Sequence, residues 1–164
     1  MVEESQGKIN FKIVLVEPEI PQNTGNIGRT CVGTASELHL IHPFGFEITD
    51  KNLKRAGLDY WQYLKWFQYS DFESWKSTVP DWSRVFFFST KANKSYFDVQ
   101  FRQGDYLVFG RETKGLSSEI ISNYPEKLIK IPQYGPVRSL NVATAAAIAL
   151  YEGLRQLQVG TKNN

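Results

Sequence analysis

The chain has 164 residues, the length of one compact domain with a hydrophobic core of its own. Its net charge at neutral pH is only +2, so binding to a polyanion would depend on a local cluster of basic side chains. The single cysteine, Cys31, excludes an internal disulfide, and no apolar run has the length of a signal core or a membrane span, which favours a cytoplasmic protein.

Short apolar segments alternate with segments of helical character along the chain. We expect strands at residues 11–16, 37–41, 65–68, 84–88, 106–109 and 127–131. We expect helices at residues 23–32, 52–56, 72–78 and 117–122, and a last helix from Ser139 or Asn141 to residue 158. This alternation predicts one α/β domain over residues 9–158, with a mostly parallel sheet flanked by helices and flexible ends at 1–8 and 159–164.

Particular residues mark the expected helix boundaries. Asn23, Asp71 and either Ser117 or Ser118 are predicted N-caps, because their side chains accept hydrogen bonds from free backbone N–H groups. Gly33 is the predicted end of the first helix. The last helix is predicted to bury one stripe of small and apolar residues, formed by Ala143, Ala147, Leu150, Leu154 and Leu157.

Three polar segments that contain glycine or proline follow predicted strands, at residues 21–29, 109–115 and 131–141. The carboxyl ends of parallel strands meet at one edge of a sheet, so these segments indicate a single ligand site. Gly25 and Gly28 fall inside the first helix, where each costs about 1 kcal/mol relative to alanine. Their presence indicates that another part of the chain approaches the helix backbone closely.

Individual polar residues of these segments each allow two interpretations. Arg29 is either an exposed helix cation or a contact for a phosphate or hydroxyl group. Glu112 is either a solvated carboxylate paired with Arg111 and Lys114 or a carboxylate that faces a ligand. Ser139 and Asn141 could each cap the last helix, but capping requires only one of them.

Several catalytic and binding motifs are absent. The dinucleotide fingerprint fails because Asn23 stands at its first glycine and His42-Pro43 stands where an acidic residue would end the second strand. No P-loop, G-x-S-x-G turn or metal-ligand spacing is present. Cys31 has no basic partner pattern, so we interpret it as a buried helix residue.

Aromatic residues are dense near the predicted third strand. Base stacking and packing both account for such a cluster, and packing in the core or at a subunit interface is favoured because aromatic residues dominate both. The members of this cluster are Tyr60, Trp61, Tyr63, Trp66, Phe67 and Tyr69.

The three polar segments together resemble those of the SPOUT (SpoU-TrmD) class of RNA methyltransferases. The motifs appear in the family's order, as NTGNIGR at 23–29, LVFGRETKGL at 107–116 and IP through RSLN at 131–141. The opening EPEIPQNTGN at 17–26 is similar to the TrmL-like subgroup, which 2′-O-methylates the wobble nucleotide of tRNA. The resemblance extends from Ile13 to Leu157 and implies a deep trefoil knot at the carboxyl-terminal end of the α/β fold.

The resemblance also implies a cofactor, a partner and roles for individual residues. The cofactor would be S-adenosylmethionine, without a metal, and the enzyme would be a homodimer whose partner subunit completes the site. The family's catalytic positions correspond to Arg29, Asn23, Glu112, Ser139 and Asn141. The cofactor loops correspond to Phe88, Ser89, Thr90, Gly110, Glu112, Ile131, Ser139 and Leu140.

The expected reaction is transfer of a methyl group to the ribose 2′-oxygen of nucleotide 34 in tRNA. Arg29 would act on the 2′-hydroxyl, either as a general base or by orienting it. Because an arginine side chain does not lose its proton in proteins, the second role is equally reasonable. Without an added RNA-binding domain, tRNA would dock on Lys91, Arg111, Lys114, Arg138 and Arg155. The alternatives are methylation of another tRNA or rRNA site, and a non-catalytic RNA-binding protein with the same fold.

Overall fold

The computed structural model describes residues 8–49 and 60–162, with side chains described as far as Gln158. Six parallel strands form one sheet in the order β3-β2-β1-β5-β4-β6. The predicted mostly parallel sheet is therefore confirmed. The strands are β1 Lys12–Val16, β2 Glu37–Ile41, β3 Trp66–Tyr69, β4 Val85–Phe88, β5 Tyr106–Phe109 and β6 Leu128–Ile129.

Four α-helices connect the strands of the described chain: α1 Pro21–Gly33, α2 Phe72–Lys76, α3 Ser118–Asn123 and α4 Val142–Lys162. Short 3₁₀ turns lie at Trp61–Tyr63, Trp82–Arg84, Tyr96–Asp98 and Pro125–Lys127. The helix expected at 52–56 lies outside the described residues. The last helix continues four residues beyond the predicted end at 158. Within the described chain, no helix combines the length and apolar character needed to cross a membrane.

Both faces of the sheet are buried, as the continuous apolar strands predict. On one face, α1 and α4 pack against β1, β2 and β5, with Ala146, Ala149 and Leu150 completely excluded from solvent. On the other face, Trp75 of α2 is fully buried among residues of β1, β4 and β5. The buried stripe of α4 thus includes Leu150 as predicted, but it is centred on Ala146 and Ala149, since Ala143 and Ala147 are only half-buried.

Close approach of α4 to the sheet depends on a glycine. A Cβ at Gly153 would lie 2.5 Å from the ring of Phe11, which is far inside van der Waals contact. The same argument applies to Gly28 of α1, where a Cβ would meet Trp61 and Leu64 at 3.1 Å. The close approach inferred for the glycines of α1 is therefore confirmed at Gly28.

The helix caps agree with the sequence at two positions and differ at one. Asp71 and Ser117 each accept a backbone hydrogen bond at the start of α2 and α3, as predicted. The predicted N-cap at Asn23 is wrong, because α1 begins at Pro21 with Ile20 at the cap position. Proline suits the first helical position since it has no N–H to satisfy and its φ angle is already helical. Asn23 therefore lies within the first turn, and its side chain is available for another contact.

Candidate active site

A cavity of about 640 Å³ lies at the carboxyl ends of β4 and β5 and beside the start of α1. This volume is within the range of small-molecule sites, and the position is the one where parallel α/β sheets bind ligands. Apolar side chains, among them Phe88, Phe109 and Leu140, line part of the wall. Hydroxyl, amide and charged groups line the rest of the cavity.

The cavity brings together most of the residues predicted from the sequence. All eight predicted cofactor residues line it: Phe88, Ser89, Thr90, Gly110, Glu112, Ile131, Ser139 and Leu140. Asn23 and Asn141 of the predicted catalytic set also line it, as do Lys91, Arg111, Lys114 and Arg138 of the predicted RNA-binding set. Three strand ends that are far apart in sequence therefore form one site, as expected.

Other cavity residues were not predicted. Lys130, Thr113 and Gln133 line the cavity, although no motif or spacing in the sequence singled them out. Lys130 was expected to lie within the last strand, but β6 ends at Ile129 and Lys130 forms only an isolated bridge to Ser95. No sequence signal identified it, because the predicted strand at 127–131 enclosed Lys130.

The loop at residues 110–115 folds back on itself through two glycines. Arg111 and Gly115 exchange backbone hydrogen bonds of 3.0 and 2.8 Å, and Gly115 has a φ of +64°. A Cβ at Gly110 would lie 2.1 Å from the carbonyl carbon of Gly115 and 2.2 Å from the nitrogen of Leu116. Only glycine fits at position 110 without displacing the loop.

Glu112 is held by backbone groups at the start of α1. Its Oε2 accepts a hydrogen bond from the N–H of Glu19 at 2.8 Å, and its Oε1 accepts one from Ile20 at 3.0 Å. Among the described residues its carboxylate pairs with neither Arg111 nor Lys114, and Arg111 instead lies 3.5 Å from Glu17. The observed contacts therefore assign Glu112 a structural role that neither sequence interpretation included.

Asn141 connects the start of α4 to α1. Its Oδ1 accepts hydrogen bonds from the N–H groups of Ala143 and Thr144, at 2.8 and 3.3 Å, and so caps α4. Its Nδ2 donates to Oδ1 of Asn23 at 3.1 Å, and Asn23 is buried. Of the two candidate caps, Asn141 is the one used, which leaves the exposed Ser139 at the cavity without a capping role.

Positive charge dominates the cavity wall. Five cations line it, and Glu112 is the only carboxylate among the lining residues. The net charge of the described wall therefore favours an anionic ligand at or next to the cavity. The five cations are Lys91, Arg111, Lys114, Lys130 and Arg138.

Two of the predicted site residues do not line this cavity. Arg29 is exposed on α1, and its guanidinium lies 5.9 Å from the ring centroid of Tyr60. It follows Asn23 by six residues, which places it on a different side of the helix. Arg155, on α4, is bound by Glu152 through hydrogen bonds of 2.6 to 3.1 Å.

Cys31, possible metal ligands and the aromatic cluster were the other candidates outside the cavity. Cys31 is completely buried, and burial raises the pKa of its thiol well above the usual range, as expected for an unreactive core cysteine. In the described part of the chain, no cluster of three or more His, Cys, Asp or Glu could hold a metal. Within the aromatic cluster, Trp61 and Trp66 pack against the core, whereas Tyr63 and Phe67 are exposed.

The fold and the cavity define a parallel α/β protein with a ligand site at its strand ends. The sequence pattern of the SpoU rRNA Methylase family matches residues 10–151, and the chain belongs to that family. This membership confirms the resemblance to SPOUT methyltransferases.

Similar proteins include two bacterial enzymes named tRNA (cytidine(34)-2′-O)-methyltransferase. The one from Saccharophagus degradans is 45% identical over 149 residues, covering 90% of this chain and 96% of its own. The one from Aeromonas hydrophila is 47% identical over 146 residues, covering 88% and 93%. A solved structure described as "Structural insights into the 2-OH methylation of C/U34 on tRNA" has a TM-score of 0.85 and 44% identity, covering 90% and 96%.

Proposed function

We propose that this protein transfers a methyl group from S-adenosylmethionine to the ribose 2′-oxygen of nucleotide 34 in tRNA. The observation that carries the proposal is the single cavity at which all three motif loops meet, in a chain over 40% identical to enzymes named for this reaction. The test is incubation with labelled S-adenosylmethionine and bulk tRNA, followed by mapping of the modified nucleotide. Transfer of label to no tRNA would refute it.

The cavity residues fit the proposed methyl donor. Its volume of about 640 Å³ suits a nucleoside-sized ligand, and Phe88, Ile131 and Leu140 offer apolar surfaces for an adenine ring. Ser89, Thr90 and Ser139 supply hydroxyl groups for the polar end of the ligand. When bound, S-adenosylmethionine would supply an electrophilic methyl group.

The residues of this chain would contribute alignment and proton removal. Asn141 caps α4 and binds Asn23 of α1, while Glu112 binds the backbone at the start of α1. These contacts hold three walls of the cavity in fixed positions relative to one another. Arg29 would then bind or deprotonate the 2′-hydroxyl. A rate–pH profile of Arg29→Lys separates these roles. If the lysine variant is active and the apparent pKa of its rate–pH profile is lower than that of the wild type, base catalysis is supported. A change confined to the KM for tRNA supports positioning.

Arg29 is proposed to act on the cavity of a second subunit in a homodimer. This accounts for an exposed residue that does not line its own cavity. Mixing Arg29→Ala with a variant defective in its cavity, such as Gly110→Ala, tests the idea. With random pairing, about half of the dimers are heterodimers. If Arg29 acts across the interface, each heterodimer has one intact site of its two, so activity would return to about a quarter of the wild-type level. No recovery from two variants shown to exchange subunits would refute it.

The tRNA is proposed to dock on the cationic mouth of the cavity. Lys91 and Arg138 are both exposed there, and Tyr134, on the loop between Gln133 and Arg138, is 89% exposed. Exposed aromatic rings beside cations suit unpaired bases and phosphates of a single-stranded loop. Arg155 stays a predicted RNA contact, but we expect it to contribute less to tRNA binding because its guanidinium already pairs with Glu152.

Charge reversal and ring removal test this docking surface separately. Reversing Lys91 and Arg138 together is expected to weaken tRNA binding and flatten its dependence on salt. Tyr134→Ala is expected to weaken binding about ten-fold, since one stacked base contributes about 1–3 kcal/mol. Tyr63→Ala is the control, because Tyr63 is also 72% exposed but neither it nor its chain neighbours line the cavity, whereas Gln133, next to Tyr134, does. Unchanged affinity in both the charge-reversed variant and Tyr134→Ala would contradict the docking surface.

The knot, the cytoplasmic location and the extent of the domain belong to the same proposal. A deep trefoil knot at the carboxyl-terminal end, a cytoplasmic enzyme and one methyltransferase domain at 9–158 are expected from the family resemblance. The family description, which refers to rRNA, favours a second candidate reaction, methylation of an rRNA ribose. Offering tRNA and rRNA in separate incubations distinguishes the two, and binding of RNA without methyl transfer would identify a non-catalytic protein.

A further inference from the structure

We propose that Glu19 is a positioning residue of this active site. It holds the loop at 110–115 against the start of α1 by binding Thr113. Its consequence for catalysis rests on the proposed function, whereas its structural part can be tested without any substrate. Glu19 does not itself line the cavity, so its effect must pass through residues that do.

Glu19 and the loop at 110–115 bind each other reciprocally. Glu19 Oε1 accepts hydrogen bonds from the N–H of Thr113 at 3.1 Å and from its hydroxyl at 2.7 Å. In return, the Glu112 carboxylate accepts hydrogen bonds from the N–H groups of Glu19 and Ile20. Each segment therefore supplies one carboxylate that accepts two hydrogen bonds from the other segment. We call these four hydrogen bonds the Glu19–Glu112 interlock.

The interlock joins two walls of the cavity that are far apart in sequence. Glu112 and Thr113 line it from the loop, and Ile20 and Asn23 line it from the α1 side. Within the loop, the backbone bonds between Arg111 and Gly115 fix its shape but not its orientation toward α1. That orientation depends on contacts between the two segments.

One further contact spans the same gap. Arg111 lies 3.5 Å from Glu17, with about a third of each side chain exposed, and an ion pair of this kind contributes little. β1 and β5 pair just before the two segments, as far as Leu15 and Phe109. Beyond that pairing, the interlock is the main fixed connection between the segments in the described structure. The hydrogen bond from the Thr113 hydroxyl is also the largest cause of the lowered pKa of Glu19.

Substitutions at the two ends distinguish hydrogen bonding from charge. Glu19→Gln keeps an oxygen that can accept both bonds from Thr113, whereas Glu19→Ala removes both. Thr113→Val loses only the bond from the hydroxyl, and Thr113→Ser keeps it. We expect the wild type to be the most active, followed by the single variants Glu19→Gln and Thr113→Ser at a similar level. Thr113→Val should be less active, and Glu19→Ala the least active. Glu126→Ala is the matched control, because Glu126 is exposed and lies outside the cavity.

Hydrogen–deuterium exchange of the free protein tests the geometry directly. Glu19→Ala is expected to speed exchange of the Thr113 amide about five-fold, since a lost hydrogen bond contributes about 1 kcal/mol. Glu126→Ala is expected to leave it unchanged. Calorimetry with S-adenosylhomocysteine and steady-state kinetics follow. Glu19→Ala should weaken the ligand about ten-fold and lower kcat, with Glu19→Gln close to wild type in both.

Two results would overturn the proposal. One is exchange and ligand affinity in Glu19→Ala equal to those in Glu126→Ala. The other is Glu19→Gln as damaging as Glu19→Ala, because charge would then matter and hydrogen bonding would not. If Glu19→Ala does not fold, Thr113→Val against Thr113→Ser gives the same decision. A wild type that modifies no tRNA refutes the proposed function alone, since the exchange result stands independently of it.

Discussion

Replacing Gly110 by alanine is expected to separate the loop at 110–115 from the rest of the site. The new Cβ would lie 2.1 Å from the carbonyl carbon of Gly115 and 2.2 Å from the nitrogen of Leu116. Carbon atoms in contact are normally about 3.5 Å apart or more, so the backbone at Gly115 must move by about 1.4 Å. No flexible side chain can absorb this displacement, because both opposing atoms belong to the main chain.

The displacement has a cost in stability and a larger cost in function. Overpacking of this kind costs about 1–3 kcal/mol, and weakening of the two Arg111–Gly115 hydrogen bonds adds about 1 kcal/mol. A shift of about 1 Å in an active site can reduce the rate about 100-fold. We therefore expect a free energy of unfolding lower by about 3 kcal/mol and a kcat/KM lower by about 100-fold.

Urea unfolding and steady-state methylation measure these two effects. Gly33→Ala is the matched control, because a Cβ there meets nothing within 4 Å and alanine favours the end of α1. It should be as stable as the wild type or slightly more so. A Gly110→Ala protein with wild-type stability and wild-type affinity for S-adenosylhomocysteine would refute the close approach of the loop.

Three further substitutions or reagents test other contacts. Asn141→Asp keeps the cap of α4 but cannot donate a hydrogen bond to Asn23, so it should lower kcat with little loss of stability. Asn141→Ala should also lower the free energy of unfolding by about 1 kcal/mol, because it removes the cap. Equal stability of the two variants would contradict the cap. Asp105→Ala should lower the free energy of unfolding, measured in urea, by about 3 kcal/mol, because Asp105 is 1% exposed and binds Arg84 at 2.6 Å. Asp98→Ala is the control and should not lower it, because Asp98 is exposed. Because burial raises the pKa of Cys31, Ellman's reagent at pH 8 should label it only after unfolding, and stoichiometric labelling of the native protein would show that the thiol is accessible.

The strands could be predicted from the sequence because a parallel strand buried on both faces is a continuous run of apolar residues. The segment YLVF at 106–109 is apolar throughout, and β5 occupies the predicted residues. The same reasoning located the cavity, since polar residues at strand ends must meet at one edge of the sheet. It also chose Asn141 as one of only two candidate caps of α4.

The contacts that fix the site could not be predicted from local sequence. Glu112 binds backbone N–H groups that precede it by 92 and 93 residues, and no spacing rule relates such positions. Asn23 was assigned a capping role because asparagine is a strong N-cap, yet Pro21 moved the helix start and released its side chain for Asn141. The buried face of α4 differs from the predicted stripe: it includes Ala146, Ala149 and Gly153, and a Cβ at Gly153 would clash with Phe11.

The order of the sheet also sets when this site can form during synthesis. The strands β1, β2 and β3 are neighbours in both sequence and sheet, so this half can pair as soon as it leaves the ribosome. The other edge of β1 must wait for β5, since Lys12 pairs with Tyr106. At about 5–20 residues per second, that wait lasts about 5–20 seconds. A central strand with one open edge is a template for wrong pairing during this interval, so the yield of folded protein should depend on translation speed and chaperones.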